Sequence, residues 1–131
     1  MTVVVDSSAV VAALLDHESA GQWARRQLAG TFLAAPAHLF VEVSSVLRRA
    51  VLSRHVGRDV AALAHDDLLR LQLTVFPFEP FAARIWELHP SVTSYDAGYV
   101  ALAENLDAPL VTLDRRLARA NGPRCEFLLP N

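Results

Sequence analysis

Two acidic residues, Asp6 and Asp114, directly follow short apolar runs that are typical of buried strands. Asp6 ends the run VVV, and Asp114 ends the segment PLVTLD. In a parallel sheet, ligands bind beyond the carboxyl ends of the strands, so we expect both acids at the same edge of one sheet. Either one alone could simply cap the helix that follows it. Together they favour a shared site.

Glu42 interrupts the apolar sequence LFVEV in a predicted long helix. Beside the apolar stripe of this helix, helical spacing places a polar stripe of His38, Glu42, Ser45 and Arg49. An ordinary solvated helix face would give the same pattern. The functional interpretation is that the stripe lines a cleft opposite the strand ends, with Glu42 facing Asp6.

Asp96 belongs to the first turn of a predicted helix that we expect Ser94 to cap. On its own, an acid at this position is explained by its favourable interaction with the helix dipole. Gly98 follows two residues later, where glycine costs about 1 kcal/mol relative to alanine. This glycine marks either a close approach to the backbone or a tolerated residue.

Carboxylates that converge from distant segments are the ligands that Mg²⁺ and Mn²⁺ prefer, since these hard cations take oxygen ligands and keep several waters. A bound cation lowers the pKa of its water and offsets charge on a phosphate. Without the cation, the carboxylates would repel one another and raise each other's pKa. The sequence therefore predicts a metal site for phosphate chemistry.

The elements that must position these acids alternate along the chain. We expect strands at residues 3–5, 31–35, 74–76, 109–112 and 125–128. We expect helices at residues 9–15, 19–28, 37–53, 59–71, 81–88 and 95–106, a short helix ending near residue 120, and a cap for the first helix at Ser7-Ser8. Alternation of this kind predicts one α/β domain over residues 1–131, with a mostly parallel sheet of four to five short strands covered by helices on both faces.

The composition fits such a domain and restricts its partners. Hydrophobic residues make up 53% of the chain and charged residues 20%, which excludes a disordered protein. The net charge of −2 means that any phosphate backbone must be held locally, by arginines or cations. Cys125 is the single cysteine, so a disulfide framework and a cysteine-rich zinc site are excluded. The sequence has no basic leader and no apolar run of membrane-spanning length, so we expect a cytoplasmic protein.

At this point the motifs become recognisable. The opening VVVDSS resembles that of PIN domains, in which a strand delivers the first acid and a serine two residues later supports it. The segments FVEVSSVLRRA, SYDAGYVALAENL and PLVTLDRRL resemble the family's later motifs and place Glu42, Asp96 and Asp114 on its acids. The resemblance spans nearly the whole chain, with all four acids in order. In its length, the chain most resembles the VapC toxins of bacterial toxin–antitoxin pairs.

The resemblance implies a Mg²⁺- or Mn²⁺-dependent endoribonuclease that hydrolyses RNA phosphodiesters with a metal-activated water. By this analogy Asp6, Asp96 and Asp114 hold the metal, and Glu42 assists through a direct or water-mediated contact. Ser8 and Thr112 would support the ligands. It also implies a homodimer and a cognate VapB-type antitoxin whose C-terminal segment occupies the active-site groove.

Two further sets of residues are candidates for binding. Arg115, Arg116 and Arg119 follow Asp114 and could contact the RNA backbone, although plain surface solubility explains them equally well. Apolar residues on the middle helices exceed what a small core can cover, which suggests a dimer interface that includes Val51, Leu52, Leu63 and Leu71.

Other functions stay open as alternatives. A phosphohydrolase could use Asp6 as a nucleophile, but the haloacid-dehalogenase pattern has a second acid where this chain has Ser8. A receiver-like domain would need a late lysine, and the chain has none. A non-catalytic RNA-binding or regulatory domain with the same fold is the alternative from a different class.

Overall fold

The computed structural model describes residues 1–131. The strands are β1 (Thr2–Val5), β2 (Phe32–Pro36), β3 (Leu73–Phe76), β4 (Leu110–Val111) and β5 (Phe127–Leu128). The helices are α1 (Ser7–Leu15), α2 (Ser19–Leu28), α3 (Leu39–Leu52), α4 (Arg58–Arg70), α5 (Ala82–Glu87), α6 (Ser94–Leu106) and α7 (Arg115–Ala118). A 3-10 turn, Glu79–Phe81, precedes α5. No helix is both long and apolar enough to cross a membrane.

The five strands form one sheet in the order β3-β2-β1-β4-β5, and every pair in it is parallel. The predicted fold is confirmed, and the sheet is wholly rather than mostly parallel. The chain moves outward from β1 to β2 and β3, then crosses over to β4 on the other side of β1. Since such crossovers are right-handed, this reversal places α1 to α4 on one face and α5 and α6 on the other. The order of the strands reverses between β1 and β4, and ligands bind beyond the carboxyl ends of the strands at such a switch point.

The core explains why β1 and α6 hold their positions so firmly. Val3, Val4 and Val5 are buried, as a central strand covered on both faces requires. In α6 every residue from Ala97 to Ala103 is buried, because this helix packs against β1, β2 and β4. The first turn of α6, which contains Asp96, is therefore fixed against the strand ends.

Two predicted helix caps are wrong by one residue or more. The N-cap of α1 is Asp6, and Ser7 and Ser8 are already helical. The N-cap of α6 is Thr93, whose hydroxyl oxygen accepts from the Asp96 backbone N–H at 3.2 Å. In both cases the residue just before the predicted cap has the extended backbone that an N-cap needs.

The last strand, β5, is shorter than predicted, and an ion pair at the opposite end of α6 contacts the chain just ahead of it. Arg84 Nε and one terminal nitrogen donate to the two Glu104 oxygens at 2.7 and 3.0 Å. Glu104 also accepts from the Arg124 backbone N–H, and Arg84 donates to the Gly122 carbonyl. These contacts hold the chain ahead of β5, and Cys125 lies half-buried just before that strand.

Candidate active site

Asp6 lies at the carboxyl end of β1 and has 4% of its surface exposed. Its backbone N–H donates to the Val111 carbonyl of β4 at 3.2 Å, so the pairing of the two strands extends to this residue. Its Oδ1 accepts from the Ala9 backbone N–H at 3.0 Å, which is the cap of α1. Asp6 is thus tied both to β4 and to the helix that follows it.

The hydroxyl groups of Ser8 and Thr112 both donate to Asp6. Ser8 Oγ lies 2.7 Å from Asp6 Oδ1, and Thr112 Oγ1 lies 2.5 Å from Oδ2. Each hydroxyl has a single hydrogen to donate. On the acceptor side, the Leu113 N–H donates to Ser8 at 3.0 Å and the Asp114 N–H donates to Thr112 at 2.9 Å. The backbone after β4 therefore turns both hydroxyls toward Asp6.

Burial raises the pKa of Asp6 above that of an ordinary carboxyl group, and the charge of Asp114 acts in the same direction. The hydrogen bonds from Thr112, Ser8 and Ala9 oppose this rise because they stabilise the ionised form. They occupy both lone-pair positions of Oδ1 and one of the two on Oδ2. Asp6 can still offer Oδ2 to a ligand while its carboxylate stays fixed.

Asp114 follows β4, the strand that pairs with β1, and precedes α7. Its Oδ1 accepts from the backbone N–H groups of Arg116 and Leu117 at 3.0 and 3.1 Å, so it is a helix N-cap. Its Oδ2 makes no hydrogen bond. The capping role and a ligand-binding role are therefore compatible, since each uses a different oxygen.

Glu42 lies in the first turn of α3 and accepts a hydrogen bond from the Tyr99 hydroxyl of α6, with 2.6 Å between the oxygens. Tyr99 is completely buried. Burial, the bond to Glu42 and the charges of Glu42 and Asp6 raise the pKa of Tyr99 far above its usual value, so the phenol stays protonated and donates. Sequence reasoning missed Tyr99. The available signal was its spacing, three residues after Asp96 on the same helix face.

The imidazole ring of His38 lies directly against Gly98 of α6. A Cβ atom added at Gly98 would come within 2.6 Å of His38 Cε1, so the close approach that this glycine suggested is made by an imidazole ring. His38 Nε2 lies 2.9 Å from the Tyr95 carbonyl oxygen, which can only accept, so this nitrogen carries a hydrogen. The same nitrogen is 3.7 Å from Glu42 Oε1. His38 thus closes one side of the site.

Asp96 interacts with all the other acids. Burial, followed by the charges of Asp114, Asp6 and Glu42, raises the pKa of Asp96 to about 6, against a hydrogen bond from Thr93 that lowers it. These charges act on Asp96 because the three segments that carry them meet at the amino end of α6. The structure therefore brings all four sequence-predicted acids into one electrostatic neighbourhood.

The polar stripe of α3 lines a cleft, as its spacing suggested. The cleft has a volume of about 520 Å³, and we call it the Glu42 cleft. Its lining residues are Ser7, His38, Val41, Glu42, Ser45, Val46, Arg49 and Tyr95. Arg49 is the cationic side chain at this cleft, about two helical turns after Glu42.

The three arginines after Asp114 are exposed on the short helix α7 and its end. Arg115 donates to the Pro130 carbonyl at 2.5 Å, which directs it toward the C-terminal residues. The side chains of Arg116 and Arg119 make no hydrogen bond or ion pair with the rest of the chain. Of the three, Arg116 and Arg119 are the freer to contact a substrate.

The donor set suits a hard divalent cation. It consists of carboxylate oxygens, and burial first, then the charges of neighbouring acids, raise the pKa values of two of them, Asp6 and Asp96. No three acidic, histidine or cysteine side chains are close enough to share one ion in this arrangement. Mg²⁺ is usually held by one or two carboxylates, waters and substrate phosphates, rather than by a full protein cage. The acids fit that mode of binding.

Comparison with known proteins identifies the family of this chain. The family model of the PIN domain matches residues 3–123. Ribonuclease VapC12 of Mycobacterium tuberculosis is 37% identical over 127 residues, which covers 97% of this chain and 98% of the relative. Ribonuclease VapC1 of the same organism is 43% identical over 127 residues, with 96% of each chain covered.

Solved structures share the fold at lower identity. VapBC2 from Rickettsia felis, bound to a DNA fragment from its promoter, superposes with a TM-score of 0.72 at 16% identity, and 100% of both chains is covered. The toxin VapC20 of M. tuberculosis, which cleaves the sarcin–ricin loop, has a TM-score of 0.68 at 18% identity over 88% of this chain and 92% of that one. The chain belongs to the PIN-domain family and, within it, to the VapC ribonucleases.

The raised pKa of Asp96 predicts an unusual pH dependence of stability. Its folded-state pKa of about 6 exceeds the ordinary value of 3.8, so ionising Asp96 costs stability above pH 6, and this cost disappears as the pH falls toward 4. In metal-free buffer, Asp96→Asn should be more stable than the parent at pH 7.5 by about 1 kcal/mol after allowance for solvent screening. Urea unfolding of both proteins at pH 7.5 and pH 4 measures the difference, which should shrink at the lower pH.

The matched control is Asp59→Asn, which changes an exposed acid in the first turn of α4. That variant should lose a few tenths of a kcal/mol, through the helix dipole alone. If Asp96→Asn also lost stability at pH 7.5, repulsion among the four acids would be contradicted.

Proposed function

We propose that this VapC-family ribonuclease is the toxin of a toxin–antitoxin pair and cuts RNA internally with Mg²⁺ or Mn²⁺ as cofactor. The single observation that carries the proposal is that the four acids converge at the switch point of the sheet, where the ends of β1 and β4 meet the first turns of α3 and α6. Support for RNA as the substrate comes from the relatives, whose names describe them as ribonucleases.

In this proposal the acids divide the work by their hydrogen bonding. Asp6, Asp96 and Asp114 would hold the cation between them, partly through its water molecules. Asp6 and Asp114 would each use the oxygen that is not occupied by a helix cap. Ser8 and Thr112 favour the ionised form of Asp6 and hold its carboxylate in one orientation. When bound, the cation would lower the pKa of a water and offset charge on the phosphate.

Glu42 has a different role because Tyr99 of α6 and His38 restrain its side chain. The Tyr99 hydroxyl donates to Glu42 Oε1, and His38 Nε2 lies 3.7 Å from the same oxygen, so Oε2 is left free. Glu42 is therefore suited to orient a water or a cation-bound group near the phosphate. Arg49, in the same cleft, can contact the neighbouring part of the RNA backbone, and Arg116 and Arg119 are further candidates for that contact.

The hydrogen bonding of Asp6 argues against the phosphohydrolase alternative. The two Asp6 oxygens accept three hydrogen bonds, which leaves one lone-pair position on Oδ2. These bonds withdraw electron density from the carboxylate and hold it in place. Such an environment favours a cation ligand over a nucleophile.

The partners follow from the family and from the exposed helices. We propose a VapB-type antitoxin as the inhibitor and a homodimer as the assembled form. Leu52 of α3 and Leu63 of α4 are exposed large apolar residues, while Val51 and Leu71 are half-buried. An exposed apolar surface of this kind is typical of a protein interface.

Sedimentation equilibrium without antitoxin tests the dimer. At micromolar concentration we expect the mass of two chains for the parent and a shift toward one chain for Leu63→Asp, because a charge in an apolar interface is costly. The matched control is Leu69→Asp, which changes another exposed leucine of α4. A monomeric parent would contradict the proposed dimer.

Asp6→Asn tests the ribonuclease directly. Asparagine keeps the shape of the side chain, and the Thr112 hydroxyl can turn to accept from the new amide, so the fold should persist. Loss of a charged ligand should reduce RNA cleavage by more than about 100-fold, since even outer partners of ligands are worth 10- to 100-fold. Cleavage of a mixed single-stranded RNA in Mg²⁺ or Mn²⁺ is the measurement.

The matched control for cleavage is Asp66→Asn, which removes an exposed acid from α4 and should leave the rate unchanged. Cleavage by Asp6→Asn at the parent's rate would show that the carboxylates are not the catalytic centre. A parent that binds RNA in the presence of either cation without cutting it would support the non-catalytic alternative.

A further inference from the structure

A second cavity, of about 400 Å³, adjoins the Glu42 cleft and shares His38 and Tyr95 with it. Its remaining walls come from the carboxyl end of β2, from the segment after β3 and from the amino end of α6. We call this cavity the aromatic pocket, and its principal lining residues are His38, Phe78, Phe81, Ser94 and Tyr95.

The aromatic pocket is lined mostly by apolar surface and by aromatic rings. Phe78 is 57% exposed and Tyr95 is 62% exposed, so the fold itself does not require either ring to be aromatic. Phe81 is held edge-to-face against Phe76, with the ring centroids 6.2 Å apart. His38 is fixed by its bond to the Tyr95 carbonyl. The pocket is thus a preformed cavity with aromatic faces and no acidic lining residue.

We propose that the aromatic pocket binds one unstacked nucleobase of the RNA strand whose phosphodiester lies at the carboxylates. This inference rests on the proposed ribonuclease function and adds a substrate subsite to it. Proteins that recognise single-stranded RNA stack its splayed bases on aromatic side chains and hydrogen-bond their edges.

The shared walls favour a base over other occupants. Because the pocket and the Glu42 cleft meet at His38 and Tyr95, a strand in the cleft brings the base of an adjacent nucleotide to the pocket. The volume lies within the range of about 300–1,000 Å³ that is usual for small-molecule sites. At the rim, the Ser94 hydroxyl makes no hydrogen bond within the chain, so it is free to bond a base edge.

Three variants distinguish the stacking of a base on Phe78 from the effect of losing any exposed aromatic ring. Phe78→Ala removes the exposed ring, and Phe78→Trp replaces it with another aromatic face. Phe32→Ala is the matched control, since Phe32 is 76% exposed and lies at the amino end of β2, away from the strand ends that carry the acids. Circular dichroism should show all three folded.

The ligand is a short single-stranded RNA together with a series in which one nucleotide at a time lacks its base. Binding is measured by fluorescence anisotropy in Ca²⁺, which takes oxygen ligands as Mg²⁺ does, and a gel checks that the strand stays intact. We expect one abasic position to weaken binding to the parent by about 10-fold, the effect of losing one stacked base. Phe78→Ala should bind the complete RNA about 10-fold more weakly and should be insensitive to the abasic position.

That loss of sensitivity is a coupling between ring and base, which a merely structural role of Phe78 would not produce. Phe78→Trp should restore both the affinity and the sensitivity, and Phe32→Ala should match the parent. If Phe78→Ala kept the parent's affinity, or remained sensitive to every abasic position that weakens the parent, the subsite would be overturned. An altered oligomeric state of Phe78→Ala with unchanged RNA affinity would instead assign the pocket to a protein contact.

Cleavage of the same RNA in Mn²⁺ separates this inference from the function on which it rests. A parent that shows the coupling but does not cut would retain the subsite and lose the ribonuclease. A parent that cuts without any coupling would retain the ribonuclease and lose the subsite. A parent that neither binds nor cuts the RNA would overturn both.

Discussion

The molecule must hold several negative charges at one edge of a parallel sheet, and much of its local structure serves that constraint. β1 and β4 are neighbours, so Asp6 and Asp114 follow strands that end side by side. Asp96 and Glu42 approach the same edge from the first turns of α6 and α3. The cost of the arrangement appears in the raised pKa values of Asp6 and Asp96.

The charges are tolerated because each acid also has a local structural role. Asp6 and Asp114 cap α1 and α7, and a cap is worth about 1 kcal/mol. Asp96 lies in the first turn of α6, where the helix dipole favours a negative charge. Glu42 receives the Tyr99 hydroxyl. The features that could have explained each acid separately therefore also offset part of the cost of placing four acids together.

Much of the site could be predicted because its signals are local in the sequence. The apolar runs before Asp6 and Asp114 fixed their places at the strand ends, and the spacing of His38, Glu42, Ser45 and Arg49 predicted one wall of a cleft. The role of the PIN-type Ser8 and Thr112 appears as two hydrogen bonds to Asp6.

Other features depend on contacts between distant segments, and the sequence contains no local signal for them. The contact of His38 with Gly98 joins residues 60 positions apart, and the aromatic pocket needs β2, the segment after β3 and α6 to meet. The caps were misplaced because Asp, Ser and Thr are all good N-caps, and only the backbone shows which one is extended. β5 covers two of the four residues predicted for it. The chain just before it is held by Arg84 and Glu104, which come from distant segments.

The central claim is that the four acids form one cation site, and Mn²⁺-dependent thermal unfolding tests it most directly. When free Mn²⁺ is a hundredfold above its dissociation constant, binding should add about 2.7 kcal/mol, which raises the melting temperature by roughly ten degrees for a domain of this size. Asp114→Asn should lose this response while keeping its helix cap, because asparagine caps as well as aspartate. Asp66→Asn should respond like the parent. A parent whose melting temperature stays constant in millimolar Mn²⁺, or an Asp114→Asn variant that responds equally, would contradict the account.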